Sequence, residues 1–198
     1  MPFGFVIFQR ARLLTNHCII NFKNIYYHCR NYIADVEKIV LHLGSNKSDR
    51  VSYIQKAIAL IQKHIGKVLQ KSMLYETEPW GLADQEDFIN QTIIVESNLS
   101  AEQLIIKTKA IEEEIGREKT EKWGPRNIDI DILLYGNKKV EKKDLIIPHP
   151  KITERNFVLI PLMELLPDLI LPGFEYSVEE LYEQCQDSCE VRIYEEEN

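Results

Sequence analysis

Residues 123–134 read WGPRNIDIDILL, and this stretch decides how the middle of the chain folds. The Gly-Pro pair is typical of a turn, and the isoleucines and aspartates that alternate from Ile128 are typical of a β-strand. Because side chains two residues apart on a strand share a face, Asp129 and Asp131 should point the same way while the adjacent isoleucines enter the core. The sequence therefore predicts two neighbouring carboxylates on one side of a buried strand.

This strand is the last of six elements predicted in the central part of the chain. Strands are expected at 39–43, 68–75, 88–95 and 128–135, and helices at 49–66 and 100–115. Ser45 or Asn46 is expected to cap the first helix, and Ser100 with Gln103 forms a capping box for the second. The order β-α-β-β-α-β predicts an α+β fold, a ferredoxin-like sandwich in which one sheet carries two helices on one face.

Three parts of the chain are distinguished by their patterns. They are an N-terminal extension at 1–37, a folded domain at 38–174 and an acidic C-terminal segment at 175–198. The extension lacks any period, so it is either dispensable or precedes a start that the cell does not use, and its arginines weakly resemble an organellar presequence. After the last predicted strand, we expect an appended hairpin arm around 146–150 and helices bounded by Pro161 and Pro167.

The charge of this 198-residue chain is unevenly distributed. Of the net charge of −7, residues 1–35 carry +3, residues 175–198 carry −8 and the body between them carries −2. A near-neutral body argues against binding to duplex nucleic acid, which needs a concentrated basic face. No apolar run approaches the roughly 20 residues needed to cross a bilayer. The four cysteines lack CxxC spacing, so we expect a protein of the reducing cytoplasm without a cysteine metal site.

The two aspartates of the strand predict a metal and phosphate site. Like charges that are close and partly buried repel one another unless a cation lies between them. Carboxylate oxygens without His or Cys suit Mg²⁺, which often completes its coordination with water and phosphate oxygens. Four cations that would attract phosphate precede the pair: Arg117, Lys119, Lys122 and Arg126. The alternative is a solvated charged turn beside an exposed strand edge.

Five motifs follow one another in a recognisable order. They are LGSN at 43–46, YETEPWG at 75–81, FINQ at 88–91, the segment 116–131 with GREK, WGPR and DID, and IPHP at 147–150 followed by Arg155. This set resembles the signature of the 6-hydroxymethyl-7,8-dihydropterin pyrophosphokinase family over about residues 39–168. The resemblance implies a ferredoxin-like fold and transfer of the β,γ-diphosphate of ATP to the pterin hydroxymethyl oxygen, which releases AMP in folate biosynthesis.

The resemblance also implies roles for individual residues, including the binding of two Mg²⁺ ions by Asp129 and Asp131. The implied catalytic residues are Arg117, Lys119, Arg126, Asp129 and Asp131. The implied ATP contacts are Lys122, Trp123, Arg126, Ile132, His149 and Arg155. The implied pterin contacts are Thr77, Pro79, Trp80, Phe88, Asn90 and Phe157, with the ring between the two phenylalanines.

Simpler interpretations exist for several of these side chains. Phe157 lies in an apolar run and would ordinarily be a core residue. Asn90 would only order the end of a strand, and His149, between two prolines, would be exposed. Glu112 is expected to be an acid on the helix surface, although its counterpart in the family lies near the active-site loop.

Two other functions remain open at this point. One is a different two-metal nucleotidyl transferase or cyclase, which would release pyrophosphate instead of AMP. The other is a ferredoxin-like RNA-binding module, which the near-neutral body opposes. No side chain in the motifs is an obvious strong base, so Mg²⁺ is expected to lower the pKa of the attacking hydroxyl. ATP and a dihydropterin are the expected partners, without nucleic acid or a membrane, and the chain is expected to be a monomer.

Overall fold

The structure is a computed structural model, and it describes residues 37–79, 84–117 and 124–196. The predictions made for the extension at 1–36 and for Trp80, Lys119, Lys122 and Trp123 lie outside the described residues. The strands are β1 (Glu37–Ser45), β2 (Lys67–Lys71), β3 (Tyr75–Thr77), β4 (Phe88–Ser97), β5 (Asp129–Tyr135), β6 (Val140–Lys142), β7 (Leu145–Ile147) and β8 (Val191–Ile193). The helices are α1 (Arg50–His64), α2 (Ala101–Glu114), α3 (Asn156–Leu165) and α4 (Val178–Gln184).

The main sheet of the described residues has six antiparallel strands. Its order is β5-β1-β4-β3-β8. Strand β2 also pairs with β4, on the same edge as β3, and it contacts the second half of β4 where β3 contacts the first. The strand predicted at 68–75 is therefore two short strands. At the interruption, the Ser72 hydroxyl accepts the Thr92 N–H at 3.0 Å, which a regular ladder would give to a backbone carbonyl. The result is an α+β protein built on an antiparallel sheet.

Side chains along β1 point alternately to the two faces of the sheet. Ile39, Leu41 and Leu43 enter the main core, where they pack with α1 and α2. Val40 enters a second core formed with α3 and α4, so the even-numbered positions of β1 face the opposite side. His42 and Gly44 share that second face with Val40, and the cavity described below lies there.

On β5 the predicted alternation is confirmed. Ile128, Ile130 and Ile132 are all 5% exposed or less and belong to the main core. Asp129 and Asp131 face the other side of the sheet and line a cavity. The two carboxylates therefore share one face of a buried strand, because the isoleucines between them supply the apolar stripe that anchors it.

The ends of the two helices on the main core follow from their capping residues. The cap of α1 is Asp49, whose carboxylate accepts the Ser52 N–H at 3.1 Å, and the prediction of Ser45 or Asn46 was wrong. Those two residues remain in or directly after β1, too far from the first turn of the helix. The capping box of Ser100 and Gln103 on α2 is confirmed.

The second face of the sheet is covered in part by α3 and α4. The prediction that Pro161 ends a helix was wrong, because Pro161 lies inside α3 and is buried there. A proline removes one helical hydrogen bond, and here apolar packing of the flanking Leu159 and Leu162 against the sheet holds the helix together. The acidic segment after residue 174 contributes α4, and its strand β8 extends the sheet beside β3.

Strands β6 and β7 form a hairpin arm as a separate two-stranded sheet at 140–147, earlier in the chain than the 146–150 that the sequence predicted. After β7 the chain returns to the main sheet, where the His149 N–H donates to the Leu133 carbonyl at 3.0 Å. This hydrogen bond places the motif that contains His149 beside β5. Among the residues that the structure describes, none of the helices combines the length and the apolarity that a membrane span requires.

A tight crossing at Gly66 gives a testable expectation for stability. A Cβ atom at this position would overlap the backbone carbonyl oxygen of Glu96. Because backbone cannot rotate away as a side chain can, we expect Gly66→Ala to lower the free energy of unfolding by about 2 to 3 kcal/mol in urea denaturation. The neighbouring Lys67→Ala is the control, since Lys67 is exposed. Equal stability of the two variants would contradict this account of the crossing.

Candidate active site

A cavity of about 230 Å³ opens on the second face of the sheet. Its walls come from β1, β3, β4 and β5, from the start of α3 and from the segments before β5 and after β7. The lining residues are His42, Gly44, Thr77, Glu78, Phe88, Asn90, Arg126, Asp129, Asp131, His149, Arg155 and Phe157. Residues from five separate sequence motifs therefore meet around one space.

The two aspartates in this cavity have different electrostatic environments. Asp129 accepts hydrogen bonds from Arg117 Nη1 and Arg126 Nη1, both at 2.6 Å. Burial alone would raise the pKa of Asp129, but these guanidinium groups lower it below the usual range. The Asp131 carboxylate makes no hydrogen bond or ion pair with any residue in the described ranges, and burial together with the Asp129 charge raises its pKa to about 7.

The Arg117 guanidinium lies between two carboxylates, that of Asp129 and that of the buried Glu112. Glu112 is 1% exposed, so its expected place on the helix surface was wrong. Its carboxylate lies 2.6 Å from Arg117 and 2.9 Å from Lys109, and it also accepts the Ile130 N–H of β5 at 2.8 Å. A count of helical positions would have found it, because the buried positions Leu104, Thr108 and Ile111 share its face of α2.

We expect Glu112→Gln to destabilise the protein while the fold is retained. The amide oxygen still accepts the Ile130 N–H, but the buried ion pairs with Arg117 and Lys109 are lost. The expected decrease in the free energy of unfolding is about 2 kcal/mol, measured by urea denaturation. Glu113→Gln is the matched control because Glu113 is exposed on the same helix. A loss of the same size in the control would refute the assignment.

Asn46 connects the end of β1 to the segment that carries Arg126. Its Oδ1 accepts the Arg126 N–H at 2.8 Å, and its backbone N–H donates to the Arg126 carbonyl at 3.2 Å. Its Nδ2 donates to Gln85 Oε1 at 3.0 Å and to the Glu86 carbonyl at 3.2 Å. This single buried amide therefore joins the end of β1 to two other segments, which explains why an Asn follows the strand directly.

The aromatic wall of the cavity contains Phe88 and Phe157. Arg126 lies over the Phe88 ring at 5.7 Å, and Arg155 lies over the Phe157 ring at 5.5 Å. Between the strands, Asn90 Nδ2 donates to Thr77 Oγ1 at 2.7 Å. Phe157 is only partly buried and lines the cavity, so it is more than the core residue that its apolar run indicates.

The two histidines of the cavity are uncharged at neutral pH. Burial lowers the pKa of His149 to about 4, and the nearby Arg155 contributes to the lowering. Burial likewise lowers the pKa of His42 to about 4, although the Asn90 amide partly opposes this effect. Both imidazoles therefore offer neutral hydrogen-bonding groups. The expectation that His149 is simply exposed was wrong, because the prolines on either side direct it beside β5.

The structure brings together most, but not all, of the residues singled out in the sequence. Ile132 does not line the cavity, since its side chain is 5% exposed in the main core. Pro79 is outside the lining, and Arg117 reaches the site through its contact with Asp129. His42, Gly44 and Glu78 line the cavity without having been predicted. Within the described parts of the chain, no group of three or more His, Cys, Asp or Glu side chains is placed to hold a metal.

The fold and the site define an α+β protein with an open cavity in which paired carboxylates, arginines and aromatic rings meet. Residues 40–167 match the family model for 7,8-dihydro-6-hydroxymethylpterin-pyrophosphokinase, which covers more than half of the chain. The chain belongs to this family, and the resemblance seen in its motifs is confirmed.

Curated relatives include the 2-amino-4-hydroxy-6-hydroxymethyldihydropteridine pyrophosphokinase of Aquifex aeolicus. It is 39% identical over 142 residues, which cover 72% of this chain and 88% of the relative. The enzyme of the same name from Bacillus subtilis is 43% identical over 124 residues, 62% of this chain and 74% of the relative. A longer relative, the folic acid synthesis protein of Pneumocystis carinii, is 41% identical over 83% of this chain, which spans 22% of that protein.

Solved structures show the same fold at lower sequence identity. A crystal structure of HPPK-DHPS in complex with substrates superposes with a TM-score of 0.64 at 16% identity, over 75% of this chain and 43% of that one. A Plasmodium falciparum HPPK-DHPS variant gives a TM-score of 0.62 at 21% identity, over 78% of this chain and 45% of that one. Both likenesses concern the fold.

Proposed function

We propose that the cavity binds ATP and 6-hydroxymethyl-7,8-dihydropterin and transfers pyrophosphate from the first to the second, with release of AMP. This is the reaction named by the family and by its curated members, and it belongs to folate biosynthesis. The observation that carries the proposal is the pair Asp129 and Asp131, side by side in a cavity that also has arginines and aromatic rings. Transfer of a phosphoryl-type group depends mainly on alignment and neutralisation of charge, which these residues supply.

We propose Mg²⁺ as the metal, held by Asp129 and Asp131. The donor set fits: two carboxylates with hard oxygens stand next to each other, and the Asp131 carboxylate makes no ion pair with the described residues. The metal supplies neutralisation of the phosphate charge and activation of the attacking hydroxyl. That two ions bind is the expectation drawn from the family resemblance.

The arginines are proposed to bind the phosphates of ATP. Arg117 and Arg126 each contact Asp129 at 2.6 Å, so their charges already lie at the carboxylate pair. A guanidinium group that moved from Asp129 to a phosphate oxygen would keep an anionic partner, and a bound metal would give Asp129 a cationic one. His149 and Arg155 contribute contacts from the opposite wall. Roles for Lys119, Lys122, Trp123 and Ile132 remain predictions from the resemblance.

The pterin is proposed to lie between Phe88 and Phe157. Flat heterocycles stack on aromatic faces, and both rings line the cavity. Asn90 offers a carbonyl and an amide group to the edge of the ring, and its hydrogen bond to Thr77 fixes which way the amide points. Pro79 and Trp80, at the end of the same wall, complete the predicted pterin contacts.

We further propose that the sheet and its helices form a ferredoxin-like sandwich with the hairpin arm appended. The strand order β5-β1-β4, with β2 and β3 both beside β4, and the placement of α1 and α2 on one face support this description. A monomeric protein of the cytoplasm remains the expectation from composition. A mass measured in solution tests the oligomeric state.

The proposed function is tested by identifying the product of ATP. The protein is incubated with MgATP and 6-hydroxymethyl-7,8-dihydropterin, and the nucleotides are separated by chromatography. We expect AMP to appear only when the pterin is present. Release of free pyrophosphate without a pterin product would favour the nucleotidyl transferase or cyclase. RNA binding in the absence of any pterin or ATP binding would favour the RNA-binding module.

A further inference from the structure

The floor of the cavity contains a buried polar atom with no partner. His42 is 3% exposed, and its Nδ1 is paired with Thr92 Oγ1 at 3.0 Å. The other ring nitrogen, Nε2, is buried and meets no described residue with hydrogen-bond geometry, although the Asn90 side chain is near enough to raise the pKa of the ring. Buried polar groups are nearly always paired in folded proteins, so an unpaired one in a cavity wall calls for a ligand or an ordered water.

The position of His42 shows which part of a ligand would reach it. On β1 it is directly opposite Thr92 of β4 and Asp131 of β5. Its ring centroid is 5.8 Å from that of Phe157, at an interplanar angle of 43°. Side chains of directly opposite residues share a face of the sheet, so His42 lies where the aromatic wall meets the carboxylate pair.

We propose that His42 is a specificity-determining residue whose Nε2 hydrogen-bonds the pterin substrate where the ring joins its hydroxymethyl group. The inference rests on the proposed function, in which the ring stacks on Phe157 and its hydroxyl must reach the phosphates beside Asp131. A pterin bound in this way passes close to His42 at the floor of the cavity. Because Thr92 holds Nδ1, the ring is already oriented before the ligand arrives.

The proposed hydrogen bond from His42 Nε2 gives the site selectivity among ligands as well as affinity. A buried imidazole nitrogen that loses its partner is costly, so a ligand without a polar atom at this place is disfavoured. The Thr92 hydroxyl serves as donor or acceptor, so Nε2 takes the complementary role that the ligand requires. His42 is therefore a positioning group for the acceptor substrate and needs no change of its charge.

Two substitutions of His42 distinguish the role of Nδ1 from that of Nε2. In His42→Asn the side-chain amide keeps a polar group near the place of Nδ1 for Thr92 and has none at the place of Nε2. In His42→Gln the longer side chain carries its amide to the place of Nε2. We expect His42→Asn to weaken the binding of 6-hydroxymethylpterin about tenfold by calorimetry, with a non-hydrolysable ATP analogue and Mg²⁺ present, and His42→Gln to restore most of the loss.

The affinity for the ATP analogue is the internal control. It should change less than about twofold in both variants, because a single neutral hydrogen bond to the pterin does not involve the nucleotide. His64→Asn, near the end of α1 and away from the cavity lining, should leave both affinities unchanged. Unchanged pterin binding in His42→Asn, or equal losses of pterin and nucleotide binding, would overturn the proposal.

A measurement on the unsubstituted protein covers the case in which a variant does not fold. With ¹⁵N-labelled histidine, the Nε2 resonance of His42 should shift when 6-hydroxymethylpterin is added, and the Nδ1 resonance should stay near its free value. An unmoved Nε2 resonance in a protein that binds the pterin rejects the role of His42 alone. Failure of the unsubstituted protein to bind the pterin rejects the proposed function and the role of His42 together.

Discussion

Replacement of Asp131 by asparagine is expected to lower kcat about a thousandfold, because a metal that neutralises phosphate charge is worth several kcal/mol in the transition state. The asparagine side chain would retain the shape of the aspartate and lose the negative charge that attracts the metal. The Asp131 carboxylate forms no ion pair at contact distance with the described residues, and the nearby Arg155 keeps Asp129 as a second anionic neighbour after the substitution. The measurement is the rate of AMP formation over a range of Mg²⁺ concentrations.

The control for this substitution is Asp144→Asn. Asp144 is exposed in the hairpin between β6 and β7, so it should retain the full rate with the same dependence on Mg²⁺. Thermal melting of both variants checks that the fold is intact. Near-native turnover of Asp131→Asn with an ordinary Mg²⁺ dependence would show that the paired carboxylates do not hold the metal.

Replacement of Arg126 by methionine is expected to lower kcat about a hundredfold, the effect typical of losing one preorganised group that stabilises transition-state charge. The Arg126 guanidinium contacts Asp129 at 2.6 Å and lies 5.7 Å from the Phe88 ring centroid, between the two proposed substrates. Methionine keeps an unbranched apolar stem and removes the guanidinium group. Steady-state kinetics with ATP and the dihydropterin measure the change.

Arg192→Met is the control for Arg126→Met. Arg192 lies on β8, its side chain is 51% exposed, and it forms ion pairs with Glu76 and Asp87 at the surface. We expect its loss to change kcat less than about twofold, because exposed ion pairs contribute little. An intermediate rate for Arg126→Lys would separate the charge from the two-pronged geometry of the guanidinium group. A full rate for Arg126→Met would remove Arg126 from the proposed mechanism.

The electrostatic design of the cavity explains how it tolerates its own charges. Before ligands bind, Arg117 and Arg126 compensate Asp129, and Glu112 compensates Arg117 in turn. In the proposed complex, a phosphate would replace the carboxylate beside an arginine, and a metal would replace the arginine beside Asp129. Without a ligand, the opposite charges of the side chains already offset one another, which limits the cost of burying them.

Several contacts at the site depend on residues that carry no local signal of their role. Asn46 follows the predicted turn, yet its amide holds Arg126, which is 80 residues away in the chain. Helical spacing places Glu112 on the buried face of α2, but only the docking of α2 on β5 makes it a partner of Arg117. His42 reads as one polar residue in an apolar strand, and its unpaired nitrogen becomes visible only when the cavity is assembled.

The local sequence pattern was sufficient to predict those features that depend on interactions between residues close together in the chain. Alternation over 128–132 determined which side Asp129 and Asp131 face, and the Ser100 capping box determined where α2 begins, since both depend on backbone geometry within a few residues. The break at Ser72 and the proline inside α3 were decided by tertiary structure, because each depends on what a distant segment offers in hydrogen bonding or packing. The pKa shifts in the cavity were also decided by tertiary structure. Burial and opposite charge act through space, and only the folded chain sets the distances between the charged groups.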